Sequence, residues 1–284
     1  MKMYRMKVEC KAVFAFILAV SMMTMFTIPC YAVDETARLS KMLEDGTLEK
    51  QSERVISREA NYIESLSDDE YSEFISELVI GTSKEEYADL QDQLALVNVE
   101  LSDRTEMVVA NELELLPSNF TVSAYHTKRG AYTKYYLGFS VYANRAETRP
   151  GTVDVIAFYF DSDKCTYDGY NVVGDTVSLR SVAQKSNGCV LFNYEDASME
   201  ANTAGNYGAG AATIYVEPSV HGTWVDYSGE LSHTYRITHL DEVGGSASVD
   251  FSAVKIDGHV TATVTGKSYE ECWTKASANS FKPA

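Results

Sequence analysis

Two periodicities divide this chain. From Asp34 to about Leu116 apolar residues recur three and four positions apart; from Asn119 onward they recur at every second position. The first spacing belongs to one-sided helices and the second to strands. Leu39, Met42 and Leu43 form a short stripe closed by Asp45-Gly46, and Leu48, Val55, Ile56, Tyr62, Ile63 and Leu66 continue at helical spacing. Ser67-Asp68-Asp69-Glu70 has the form of a capping box, in which a hydroxyl and a carboxylate three residues apart satisfy each other's backbone N–H groups. Tyr71, Phe74, Ile75, Leu78 and Val79 then line one face as far as Gly81. Ser83 to Glu86 opens a further helix whose face carries Tyr87, Leu90, Leu94, Val97 and Leu101. Ser102-Asp103 is expected to cap a last one through Met107, Val108, Leu113 and Leu116, stopped by Pro117, although Met107 to Ala110 also reads as strand. Short links between one-sided helices predict an antiparallel bundle.

In the second region the pattern predicts strands at Phe120–Thr127, Tyr132–Ala143, Thr152–Phe160, Thr176–Ala183, Cys189–Tyr194, Ala212–Glu217, Thr223–Tyr227, Leu231–Leu240, Ala247–Ile256 and His259–Thr265. Thr152–Phe160 stands out because both of its faces are apolar, which predicts a central strand covered on both sides. Arg129-Gly130, Pro150-Gly151, Asp168-Gly169, Asn187-Gly188, Ser228-Gly229, Gly244-Gly245 and Asp257-Gly258 read as turns. Asp257-Gly258 is the strongest, since that dipeptide suits a two-residue hairpin loop. The fold class expected is therefore α+β in separate parts. A small acidic helical bundle over residues 33–116 precedes an all-β antiparallel sandwich of about ten strands over residues 117–284.

Charge sharpens the division. Val33–Leu116 holds 22 acidic against 7 basic residues, Pro117–Ala284 holds 18 against 13, and the whole chain carries a formal −17. That balance opposes nucleic-acid binding, which needs clustered Lys and Arg, and gives no attraction to anionic lipid. The acids of the helical part fall on solvent faces and in first turns, where they complement the helix dipole; a removable pro-segment or a docking module for a basic partner is the functional alternative. Residues 1–32 read as a secretory signal peptide. Lys2, Arg5, Lys7 and Lys11 precede an uncharged run from Ala12 to Ile28, and Ala32 stands at the expected cleavage point. An uncleaved membrane anchor is the alternative. The localisation expected is secreted, with a mature chain starting at Val33.

Export permits a disulfide, and of the three cysteines beyond the leader Cys165 and Cys189 are the expected pair, with three buried thiols the alternative. Asp161, Asp163 and Asp168 place three carboxylates in one expected loop, a donor set that calcium takes, although the spacing is not that of an EF-hand. His221, His233, His239 and His259 fall late in the chain; His233 and His239 share a strand face but lie about 20 Å apart, too far for one metal. No Gly-x-Ser-x-Gly, His-Glu-x-x-His or phosphate-loop motif is present, so no catalytic residue or cofactor is assigned and the chain is expected not to be an enzyme. A hydrolase whose site is assembled only in three dimensions is the alternative.

Tyrosine is abundant, with 19 residues. Most are expected to be structural, some to stack on sugars or anchor a partner. Ala197 to Ala211 is expected to be an exposed loop with a contact tip at Asn206 and Tyr207. Ser246 to Thr265 alternates apolar with Ser and Thr, as the hairpins of β-pore formers do and as any half-buried strand does. Lys255 between Val254 and Ile256 breaks the alternation inside the first arm and, with Asp250 and Asp257, argues against lipid. The function expected is that of a secreted, bacterial-type extracellular binding or interaction protein with an unknown protein or glycan partner, away from nucleic acid and membrane. A pore-forming toxin using residues 246–265 is the alternative.

Overall fold

A computed structural model describes residues 47–107, 120–130, 132–143, 151, 154–174, 176–181, 188–195, 207–236, 248–255, 258–265 and 270–284. The chain divides into two compact units, Met1–Tyr62 and Ile63–Ala284. Helix α1, Thr47–Ser65, runs through the division. In the second unit α2 spans Asp68–Gly81 and α3 spans Tyr87–Leu96. Among the described residues no helix is long and apolar enough to cross a membrane.

The strands are β1 (Val99–Leu101), β2 (Thr105–Met107), β3 (Phe120–Arg129), β4 (Tyr135–Ala143), β5 (Asp154–Phe160), β6 (Cys165–Val173), β7 (Val177–Ser181), β8 (Cys189–Tyr194), β9 (Tyr207–Pro218), β10 (Val225–Arg236), β11 (Ser248–Lys255), β12 (Gly258–Thr265) and β13 (Glu270–Phe281). One sheet has the order β1-β3-β4-β9-β6, with β2 also on β3; the other has the order β13-β10-β5-β8-β7. All their pairings are antiparallel. β5 is the middle strand of its sheet and every one of its residues is buried, which is what its doubly apolar sequence requires. Ile156, Phe158 and Phe160 meet Leu137, Phe139, Val190, Phe192, Ile214, Val216 and Tyr227 in one core between the sheets.

Four expectations change. The helix expected to reach Leu101 ends at Leu96, because Asn98 takes a left-handed conformation (φ 60°) that asparagine tolerates and the chain leaves as β1. The described start of the helix expected after Ser102-Asp103, Thr105–Met107, is instead β2, paired along β3, while Val108, Leu113 and Leu116 lie outside the described residues. Asp168-Gly169 is not a turn: β6 runs through it, with a register shift between Tyr167 and Gly169. Ser228-Gly229 is not a turn either, and the two strands expected around it are one, β10. A Cβ at Gly229 would stand 2.1 Å from the Phe139 ring, so the glycine marks close packing of the sheets rather than a reversal. β13, a partner of β10 along its whole length, went unread; its Thr274-Lys275-Ala276-Ser277-Ala278-Asn279 run has no large apolar residue to reveal an alternation.

α2 does not join a free-standing bundle. It lies on the outer face of the first sheet against β4, β6 and β9, and α3 lies on β1. At the sandwich edge side chains of β13 bridge the sheets: Ser277 Oγ accepts from Ala124 N at 3.2 Å and donates to Thr105 O, and Asn279 Nδ2 donates to Asp103 O at 2.9 Å.

Candidate functional site

Among the described residues, those singled out in sequence do not converge. Asp161 Oδ1 accepts from Asp163 N at 3.1 Å and Oδ2 pairs with Lys164 Nζ at 2.8 Å, so this carboxylate closes its own turn. Asp168 sits at the β6 irregularity and pairs with Lys134. Asp161 and Asp168 are thus drawn to different lysines, and among the described residues no group of three or more His, Cys, Asp or Glu stands arranged for a metal. Cys165 and Cys189 are both buried thiols, opening β6 and β8 in different sheets. Burial pushes the Cys165 thiol up to about 12, which removes it from nucleophilic chemistry. Tyr207 is not a loop tip: it opens β9 opposite Ala143 and packs half-buried against the core. Asn206 and His239 lie outside the described residues, and His259 stands opposite Val254 in β12.

His233 is wholly buried, with Nδ1 3.3 Å from Asp154 Oδ1, which also accepts from Thr234 N at 2.6 Å. Both side chains are enclosed between strands and shut away from a substrate. His126, which no pattern in the chain singles out, lies between the sheets with Nδ1 3.1 Å from Tyr227 OH and its ring near Phe281; burial lowers its pKa to about 4, so it is neutral.

The densest polar cluster lies under α2. Ser67 and Glu70 form the expected capping box, which sets the helix start and aims Asp68, Asp69, Ser72 and Ser76 at the sheet. The sheet answers with Tyr125, Tyr136, Tyr215, Thr127 and Thr213, the outward positions of β3, β4 and β9. Tyr71 OH meets Thr127 Oγ1 at 2.7 Å, Ser72 Oγ meets Tyr215 OH at 2.9 Å, and Ser76 Oγ lies 3.0 Å from Tyr125 OH and 3.1 Å from Thr213 Oγ1. Asp68 accepts from Arg129 at 2.7 Å, from Tyr136 OH at 2.6 Å and from Lys134. Partial burial works against the Asp68 carboxylate, but Lys134, Tyr136 and Arg129 outweigh it and hold its pKa below the usual range. Burial raises the phenols of Tyr71, Tyr125, Tyr136 and Tyr215, so they stay neutral and act as hydrogen-bonding groups. This cluster docks the helix.

A third place has the features of a contact surface. The turn from Ser219 to Trp224 is fixed at several points: Ser219 N donates to Lys164 O at 2.8 Å, Gly222 N to Pro283 O at 2.8 Å, and Lys164 Nζ to Trp224 O at 3.1 Å. On this held backbone Trp224 is 58% exposed. Leaving more than half of an indole in water forgoes roughly 3 kcal/mol of burial, and a tryptophan held ready on a rigid support is what interface anchors require. Tyr132 is also exposed, at 42%, with the Arg129 guanidinium 4.7 Å from its ring centroid. The signal for Trp224 was present in sequence, as one of two tryptophans following a Pro218 to Thr223 run rich in turn formers; its inclusion in an expected strand hid it.

No protein-family model matches the chain, and no curated protein matches it. Solved structures similar to it include the seventh ScaB type I cohesin from Pseudobacteroides cellulosolvens, at 14% identity over 35% of this chain and 69% of that one, with a TM-score of 0.25. BcpA, the major pilin subunit of Bacillus cereus, is similar at 10% identity over 55% of each chain, with a TM-score of 0.30. A structure described as a pore forming protein is similar at 6% identity over 64% of this chain and 96% of that one, with a TM-score of 0.31. At these identities and TM-scores none of the three speaks to what this chain does.

Proposed function

We propose that this chain is a secreted, bacterial-type extracellular binding protein, not an enzyme, whose sandwich presents the Trp224 turn to a protein or glycan partner. The exposure of Trp224 on a turn fixed by three hydrogen bonds is the observation that carries this reading. A preorganised aromatic loses little conformational entropy on binding, and both protein hot spots and sugar rings use such a surface. The leader-like plan of residues 1–32 supports export. The cluster under α2 and the Asp154 carboxylate, which accepts from Thr234 N, support a scaffold role for the buried polar groups, since each is spent on holding elements together.

Arrays of glycans and of extracellular proteins, probed with the purified chain, test the reading and separate the two partner classes. Binding to one class, lost on Trp224→Ala with an unchanged unfolding temperature, is expected. Binding that is indifferent to Trp224, or turnover of an ester, peptide or glycan abolished by His233→Ala, overturns it.

A further inference from the structure

We propose that the β11–β12 hairpin is a membrane-inserting element. On a bilayer one of its faces meets lipid, and its edges pair with the hairpins of further copies of this chain to close a barrel.

The first observation is topological. β10 and β13 pair with each other over twelve positions, ending at Arg236 opposite Glu270. Everything between those two residues is an excursion from a ladder that is already complete. Among the described strands β11 and β12 pair only with each other, in a two-stranded sheet separate from both layers of the sandwich. An isolated two-stranded hairpin is marginal in water and has two unpaired edges. It can therefore change partners at little cost to the sandwich.

The second observation is register. Val249, Phe251 and Ala253 stand opposite Val264, Ala262 and Val260. Ser248, Asp250 and Ser252 stand opposite Thr265, Thr263 and Thr261. Over the six rungs from Ser248–Thr265 to Ala253–Val260 one set of positions is thus apolar on both arms and the other is Ser, Thr or Asp on both arms, the division a barrel wall needs between lipid and lumen; toward the loop the last two rungs depart from it, with Val254 opposite His259 on the Ser/Thr side and Lys255 opposite Gly258 on the apolar side. Register moves the break in alternation to the loop end of the arm. With Asp257-Gly258 as the loop, Lys255 falls inside an arm and interrupts the apolar stripe. The observed pairing closes instead at Lys255 opposite Gly258. Lys255 is then the last paired residue of its arm, beyond the stripe, and Asp250 lies on the Ser/Thr side. Each arm has eight residues, about 26 Å of strand and roughly 20 Å of membrane depth at the roughly 35–45° tilt of such barrels, so the bilayer thins locally to meet the roughly 25 Å apolar band.

Closure is required because backbone groups at an open edge have no partner in lipid. The smallest such barrels have about eight strands, so four or more copies would contribute two each. The Trp224 turn takes no part in insertion, so the two readings stand or fall separately.

The experiment is dye release from phosphatidylcholine vesicles, uncharged because the chain is strongly acidic, with crosslinking to count copies. Four variants of the whole chain form two opposed pairs: Phe251→Arg and Ala262→Arg on the apolar positions, Ser252→Arg and Thr261→Arg on the others. The unaltered chain is expected to release dye and to crosslink into oligomers only with vesicles present. Arginine at the apolar positions lowers release by about thirtyfold or more, while arginine at the Ser/Thr positions changes it by less than about threefold. All four keep the unfolding temperature, because the hairpin lies outside the paired layers. Absence of release from the unaltered chain overturns the proposal, as does equal loss in both pairs. A lowered unfolding temperature confined to the Phe251 and Ala262 variants also overturns it, since that face would then belong to the protein's own core.

Discussion

Asp68 serves three donors from two neighbouring segments, and the residue that depends on it most is Arg129, 3% exposed and ringed by Tyr71, Tyr132 and Tyr136. Asp68→Asn keeps the shape but removes the charge that compensates a buried guanidinium. The expected cost is about 2 to 3 kcal/mol in urea unfolding at pH 7, reduced when Arg129→Met is combined with it, because the orphaned cation is then gone as well. His126 makes an opposite demand. Burial holds its folded pKa at about 4, against an ordinary value near 6.5, so between those values the unfolded chain binds the proton and the folded chain does not. The contribution of neutral His126 is present in full above about pH 6.5 and is lost as pH falls toward 4. Relative to His126→Gln, the unaltered chain is expected to lose up to about 3 kcal/mol across that window, read as the difference between two unfolding series.

At the level of elements, the strands show how far alternation can be trusted. β5 was legible because both of its faces are buried, and β3 and β8 because large apolar residues alternate along them. β13 alternates Lys275 and Ser277 inward with Thr274 and Ala276 outward, a buried–exposed pattern that hydropathy does not display. The glycines misled for a related reason. A glycine in sequence announces either a backbone conformation or a shortage of space, and only the opposing sheet tells which. At Gly138 and Gly229 it is space, since a Cβ would meet the Tyr125 ring at 2.2 Å and the Phe139 ring at 2.1 Å. Gly229→Ala is accordingly expected to destabilise the sandwich by about 1 to 3 kcal/mol through overpacking, whereas a turn glycine in an ordinary conformation would tolerate alanine. Thermal unfolding of Gly229→Ala beside Gly81→Ala checks this, because nothing stands within 4 Å of a Cβ at Gly81.

For the whole molecule, the long β10–β13 ladder implies that the sandwich does not need what lies between its ends. Replacing residues 237–269 by a short glycine-rich turn is expected to leave the unfolding temperature within a few degrees of the unaltered chain; a collapse of cooperativity would show the excursion to be part of the core. By itself the sequence determined the switch from helix to strand, the capping box of α2, the middle strand β5 and the alternation of the hairpin. Each is a local property, fixed by spacing within a few residues. Tertiary structure alone decided that α2 lies on a tyrosine-bearing sheet instead of in a bundle, that Asp161 and Asp168 serve different lysines, that Trp224 stays in water and that Lys255 ends its arm. Those outcomes depend on which distant strands become neighbours and in what register, and a one-dimensional pattern does not encode a distance between residues far apart along the chain.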